Sequence, residues 1–228
     1  MKNQYFGIEI ELTGLTRKDA ARVIAQHFGS TAEFEGGTYN AYSVRDTEGR
    51  TWKVVRDNSI EPRKKAGRGI IAANDEYKVE VVSPKCEYKD IEIIQEIVRK
   101  LRGEGAIANE SCGIHIHIDA SKHNAKTLRN LTNIMASKED LIYKALQVDT
   151  NRERQYCKKV EADFLDSINK RKPSSLIDVN RIWYEKYGGD GSRTHYHSSR
   201  YHGLNLHSVF QKGTVEFRFY VQETVMWS

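Results

Sequence analysis

The feature that most constrains this chain is a two-residue alternation that puts carboxylates and imidazoles on one side of segments whose other side is apolar. In Tyr5–Leu12, Phe6, Ile8, Ile10 and Leu12 share one side while Gly7, Glu9 and Glu11 share the other. Glu80 falls in a similar segment over Glu76–Val82, which Ser83 and Pro84 stop. Ile114, Ile116 and Ile118 alternate with His115, His117 and Asp119, and Thr214–Val221 places Glu216 and Arg218 on one side. A period of two reads as half-buried strands. Strands of a parallel sheet covered on both faces would be apolar throughout, so the pattern predicts an α+β protein whose antiparallel or mixed sheet carries helices on one face.

Helical periods separate these strands. Thr16 with Asp19 resembles a capping box, followed by the stripe Ala20, Val23, Ile24 and Phe28 and the stop Gly29. Ile91, Ile94, Ile97, Val98 and Leu101 make the clearest helix, closed by Gly103 and Gly105. Lys126–Leu146 is helical with an expected break near Ser137, where Ser137 and Asp140 resemble a second cap, and shorter helices are expected over Val160–Ile168 and Leu176–Tyr187. Tyr39–Arg45 and Arg50–Asp57 flank the turn Asp46–Gly49 as a hairpin, and Arg63–Gly69 reads as a Lys/Arg/Gly-rich loop. The segment Gly188–Gly203, with His195, His197 and His202, is expected to be a mobile substrate or nucleotide loop rather than a metal site.

Length and charge bound the rest. At 228 residues the prior is one domain over 1–228 with a sizeable core. A net charge of +5 from 36 basic and 31 acidic residues is mild and scattered, so nucleic acid is not indicated and an anionic substrate such as a nucleotide explains the bias equally well. Cys86, Cys112 and Cys157 are far apart and odd in number, which offers no disulfide framework or CxxC knuckle. Cys112, at a strand start, reads as a small buried residue rather than a nucleophile. The beginning of the chain lacks a signal-peptide pattern, and no run approaches the roughly 18 apolar residues that span a bilayer. The expectation is a cytoplasmic protein with no membrane segment.

An isolated ExE, HxH or ExR on a strand is usually a solvated face or a plain ion pair worth at most about 1 kcal/mol. Carboxylates and imidazoles on four strands together reverse that preference. Two carboxylates about 6.5 Å apart repel by roughly 2 to 3 kcal/mol at an effective dielectric near 20, a cost that a divalent cation removes. Oxygen ligands with one or two imidazoles point to magnesium or manganese rather than zinc. Magnesium usually bridges protein carboxylates to substrate phosphates, and Arg218, two residues from Glu216, can meet a phosphate oxygen beside it.

In order along the chain, GIEIEL at 7–12, VEVVSP at 79–84, CGIHIHID at 112–119, LNLHS at 204–208 and GTVEFRFY at 213–220 resemble the amidoligase family, distant relatives of glutamine synthetase and glutamate-cysteine ligase. The resemblance implies a glutamine-synthetase-like, curved, mainly antiparallel sheet forming an open funnel for ATP and an acceptor carboxylate. It implies metal ligands at Glu9, Glu11, Glu80, His115 and Glu216, phosphate contacts from His115 and Arg218, and substrate or phosphate contacts from Arg200 and Asn205. Asp57-Asn58-Ser59 resembles a family turn with asparagine in place of glycine, a residue that tolerates positive φ. Arg152, Tyr156 and Cys157 match a family segment of unassigned role. The family continues for several helices past its last strand, whereas this chain stops at Ser228, so a short or truncated member is expected.

The implied reaction is attack of a substrate carboxylate on the γ-phosphate of ATP, giving an acyl phosphate that an amine captures to form an amide or peptide bond. Amino acids, peptides or a protein side chain are the expected carboxylate and amine substrates. Charge on the transferring group calls for magnesium and a cation such as Arg218, and His117 or Asp119 is within reach as proton acceptor. Rival readings are a metal-dependent phosphoesterase or nuclease and a non-catalytic member that binds a nucleotide or peptide.

Overall fold

The structure is a computed structural model that describes residues 4–221. The end of the chain, where the expectation of missing helices falls, lies outside those residues. The chain divides into two compact units, the first running to His115 and the second from Ile116 to Tyr220.

In the first unit the order is β1 (Phe6–Leu12), α1 (Arg17–Phe28), β2 (Ala32–Gly36), β3 (Ala41–Arg45), β4 (Thr51–Val55), β5 (Arg63–Ala66), β6 (Gly69–Ala72), β7 (Val79–Val82) and α2 (Ile91–Gly103). Strands β2, β3, β4, β7 and β1 neighbour one another in that order, each pair antiparallel. The apolar side of the alternation is the core: Ile10, Leu12, Val54, Val79 and Val81 are at most 1% exposed. Helix α1 covers this side and α2 packs on α1. Thr16 caps α1 by accepting from the Asp19 N–H, and Gly29 ends it in the left-handed conformation. Gly14, with φ of 85°, carries the chain out of β1, where a Cβ would stand 2.5 Å from the Gly105 carbonyl oxygen.

Two elements differ from expectation here. Arg63–Gly69 is part of a hairpin of β5 and β6, a two-stranded sheet of its own, not a loop. Its first strand, Arg-Lys-Lys-Ala, has no apolar alternation and therefore gives no strand signal. Strand β2 is silent for the same reason, its residues Ala32–Glu35 being exposed.

Strand β8 (Gly113–Asp119) carries the chain across the division into the second unit, which holds α3 (Ala125–Ala145), α4 (Thr150–Tyr156), α5 (Ala162–Arg171), α6 (Leu176–Tyr184), β9 (Leu204–Asn205), α7 (His207–Lys212) and β10 (Thr214–Val221). Its core gathers Leu128, Ile168, Val179, Tyr184, Leu204 and Phe219 from the helices and the antiparallel pair β9–β10. The expected break at Ser137 is absent, and α3 is one helix of 21 residues. Ser137 Oγ donates to the Ile134 carbonyl inside the helix, 2.8 Å, instead of capping a new one. Helix α4 was not expected; Asp149 caps it by accepting from the N–H groups of Asn151 and Arg152.

Among the described residues no helix is long and apolar enough to cross a membrane. The architecture is α+β, with antiparallel pairing in both units.

Candidate active site

On the first unit the polar side of the strands forms an acidic cluster. Antiparallel pairing sets Glu11 of β1 directly opposite Glu80 of β7, so their side chains share a face. Glu11 is 3% exposed, and one of its oxygens accepts the Gly113 N–H at 2.7 Å. His115, also 3% exposed, lies between the two glutamates of β1: its Nδ1 is 3.3 Å from Glu9 Oε2 and its Nε2 is 3.8 Å from Glu11 Oε1. Glu11, Glu80 and His115 each bring a ligand atom within 4.8 Å of the other two. Two carboxylate oxygens and one imidazole nitrogen at that spacing fit a hard divalent cation, and they fit a zinc site of several His or Cys ligands poorly.

On the second unit the polar face is paired internally. Arg218 Nη1 donates to Glu216 Oε1 at 2.6 Å, Asn205 Nδ2 donates to Glu216 Oε2 at 2.7 Å, and the three residues are at most 4% exposed. The β9–β10 register sets Asn205 opposite Glu216. Gly203 permits this approach, because a Cβ there would stand 2.1 Å from the Tyr143 hydroxyl. Its carbonyl accepts the Arg218 N–H at 2.9 Å, which fixes the start of β9 against β10. His117 Nδ1 meets the Thr214 hydroxyl at 2.9 Å, and its Nε2 is 3.9 Å from Glu216 Oε1. Asp119 instead folds onto its own turn, accepting the N–H and hydroxyl of Ser121.

Beside Glu216 opens a small, shallow cleft of about 20 Å³, lined among others by Arg200, Asn205, His207, Ser208 and Lys212. Arg200, Asn205 and Glu216, three residues singled out in the sequence, therefore share one opening. His207 and Lys212 were not singled out. His207 is 2% exposed, hydrogen-bonded to the Tyr184 hydroxyl, and burial with the nearby cations holds its pKa below the ordinary imidazole value. The only signal for it was its place in LNLHS. Arg200 also lies over the rings of Tyr196 and Tyr201, 5.4 and 5.7 Å from their centroids.

His195, also singled out in the sequence, lines the same cleft, and the other candidates pack within the fold. His197 packs edge-on to Tyr184 and Tyr187, and buried His202 sits edge-on to Trp183. Cys112 is fully buried, and burial raises the Cys157 thiol. Buried Arg152 lies 5.8 Å from the Tyr156 ring centroid. The Asp57 turn is closed by Asp57 Oδ1, which accepts the Ser59 N–H at 2.6 Å, and Asn58 does not take up the positive φ its type would tolerate.

No curated protein and no solved structure matches the chain. A family model described as "putative amidoligase enzyme" matches residues 2–221, a span that takes in every strand bearing these carboxylates and imidazoles. The chain therefore belongs to the amidoligase family.

Proposed function

We propose that this protein is an ATP- and magnesium-dependent carboxylate–amine ligase that forms an amide or peptide bond through an acyl phosphate, on a sheet of the glutamine synthetase kind. The observation that carries the reading is the approach of Glu11, Glu80 and His115 to within 4.8 Å, in a chain whose family is that of amidoligases. Glu9, Glu11, Glu80 and His115 would hold magnesium or manganese, and the ion would supply positive charge for a triphosphate.

The protein's own groups then divide the work. Arg200 and Lys212 offer cations at the mouth of the cleft, Asn205 offers an amide, and Glu216 holds the Arg218 guanidinium in one orientation through a 2.6 Å ion pair. Such preorganised donors stabilise charge on a transferring phosphoryl group without reorganising at the moment of reaction. His117, oriented by Thr214, is the residue to which we assign the amine's proton.

Phosphate release from ATP with magnesium, measured with and without a pool of amino acids and short peptides, tests the reading. Release that requires the pool and falls at least 100-fold in Glu80→Gln is expected. Release without any acceptor would favour the phosphoesterase, and absence of ATP binding would remove the ligase reading.

A further inference from the structure

The hairpin of β5 and β6 takes no part in the cluster or the cleft, yet its composition is unusual. Between Pro62 and Asn74 the chain carries Arg63, Lys64, Lys65 and Arg68 and no acidic residue. Of these cations, Arg63 is 3.3 Å from Glu61, and Lys64 lies 5.7 Å from the Tyr77 ring centroid. The second strand presents two exposed isoleucines, Ile70 at 60% and Ile71 at 47%.

Its geometry decides which edge is open. Gly67, with φ of 57°, is the first central residue of a two-residue loop between Ala66 and Gly69. A loop of that length makes Ala66 and Gly69 a hydrogen-bonded pair, so Lys64 and Ile71 form the next such pair. The N–H and C=O groups of Arg63, Lys65, Ile70 and Ala72 then point outward. Those of Arg63 are taken: its N–H donates to Thr13 Oγ1, and its carbonyl accepts from that hydroxyl and from the Gly14 N–H. The hairpin is thus tied by β5 to the residues that follow Glu11 on β1, while β6 is the outer strand of a two-stranded sheet.

We propose that the outer edge of β6 binds an extended acidic peptide with an apolar centre, which adds a third strand to this hairpin. Ile70 and Ile71 are consecutive, so they point to opposite faces. A flat lipid surface would meet only one of them, whereas an added strand contributes side chains to both faces and covers both. Nucleic acid offers no backbone ladder, and the hairpin has no aromatic ring on which a base could stack. The cations select acidic flanks on the peptide, and the attachment at Thr13 keeps this edge on the unit that bears Glu9, Glu11 and Glu80. Its meaning as a substrate site rests on the ligase reading, since a peptide rich in carboxylates is what such an enzyme would activate. The binding itself does not.

The test is fluorescence anisotropy of a labelled Glu-Glu-Val-Val-Val-Glu-Glu peptide added to the whole protein without ATP. Saturable binding is expected, weakened at least tenfold by Lys64→Glu/Lys65→Glu/Arg68→Glu and by N-methylation of alternate peptide bonds, with the circular dichroism of the variant unchanged. No binding, equal binding of the N-methylated peptide, or equal binding of polyphosphate or of anionic vesicles would each overturn the proposal. Because ATP is absent, peptide binding survives a failure of the ligase reading, and phosphate release with free amino acids survives a failure of this one.

Discussion

The strand face of the first unit and that of the second both bury carboxylates, and they balance the charge differently. Glu9 and Glu11 lie against His115, and Glu80 joins Glu11 and His115 within 4.8 Å. Glu216 is met by Arg218 and Asn205 on its two oxygens. Glu139 on α3 shows a third solution. It is 2% exposed, accepts the Val160 N–H at 2.8 Å, and burial pushes its pKa up to about 7, so near neutrality it keeps its proton about half of the time. Buried carboxylates need a cation from outside, a cation from the chain, or a proton.

The largest effect that would break this comparison is expected at Glu216. Removal of one partner from a buried ion pair leaves the other charge uncompensated, so Glu216→Ala should destabilise the protein by about 3–5 kcal/mol in urea unfolding. Glu216→Gln, which keeps a group for Asn205 to meet, should cost less. Equal and negligible losses would mean that the Arg218 pair does not hold the second unit's face together.

Glu139 should give a pH dependence of the next size. In the unfolded chain its carboxyl ionises near 4.5, and in the fold near 7. Below 4.5 both states are protonated and nothing is lost. Between these values the unfolded state alone releases the proton, so stability falls as pH rises, by about 3 kcal/mol once the pH is above 7. Glu139→Gln should flatten that part of the stability profile measured by urea unfolding from pH 4 to 8. A slope that persists unchanged in the variant would assign it to another group.

The smallest effect sharpens the contrast with the first unit. Glu80→Gln removes one of two facing carboxylates that approach within 4.8 Å, a repulsion of about 3 kcal/mol at an effective dielectric near 20 that solvent around half-buried Glu80 reduces. Without divalent ions this variant should melt a few degrees above the wild type. It should also lose the wild type's rise in melting temperature with magnesium. A variant that melts lower without metal, or keeps the magnesium shift, would mean that Glu80 is not a cation ligand.

Much of the fold was legible because it is periodic. The 3.6-residue stripe of α2, the two-residue alternation of β1, β8 and β10, and the cap at Thr16 are local patterns read without knowledge of neighbours. Ser137 was misread because a serine at helical spacing from an aspartate looks like a cap from sequence, and whether its hydroxyl meets a new helix or its own turn is settled by packing. Strands β2 and β5 have little apolar alternation, and pairing rather than burial makes them strands. His207 and Lys212 were silent because a cleft is a product of tertiary structure.

The sequence by itself determined which residues face the same way: Glu9 with Glu11, His115 with His117, and Glu216 with Arg218 follow from strand alternation alone. Only the tertiary structure decided how their charges are balanced. Register is set by the burial of the opposite, apolar face, and register is what brings Glu80 against Glu11 and Asn205 against Glu216. That is a long-range property of packing, and no local period encodes it.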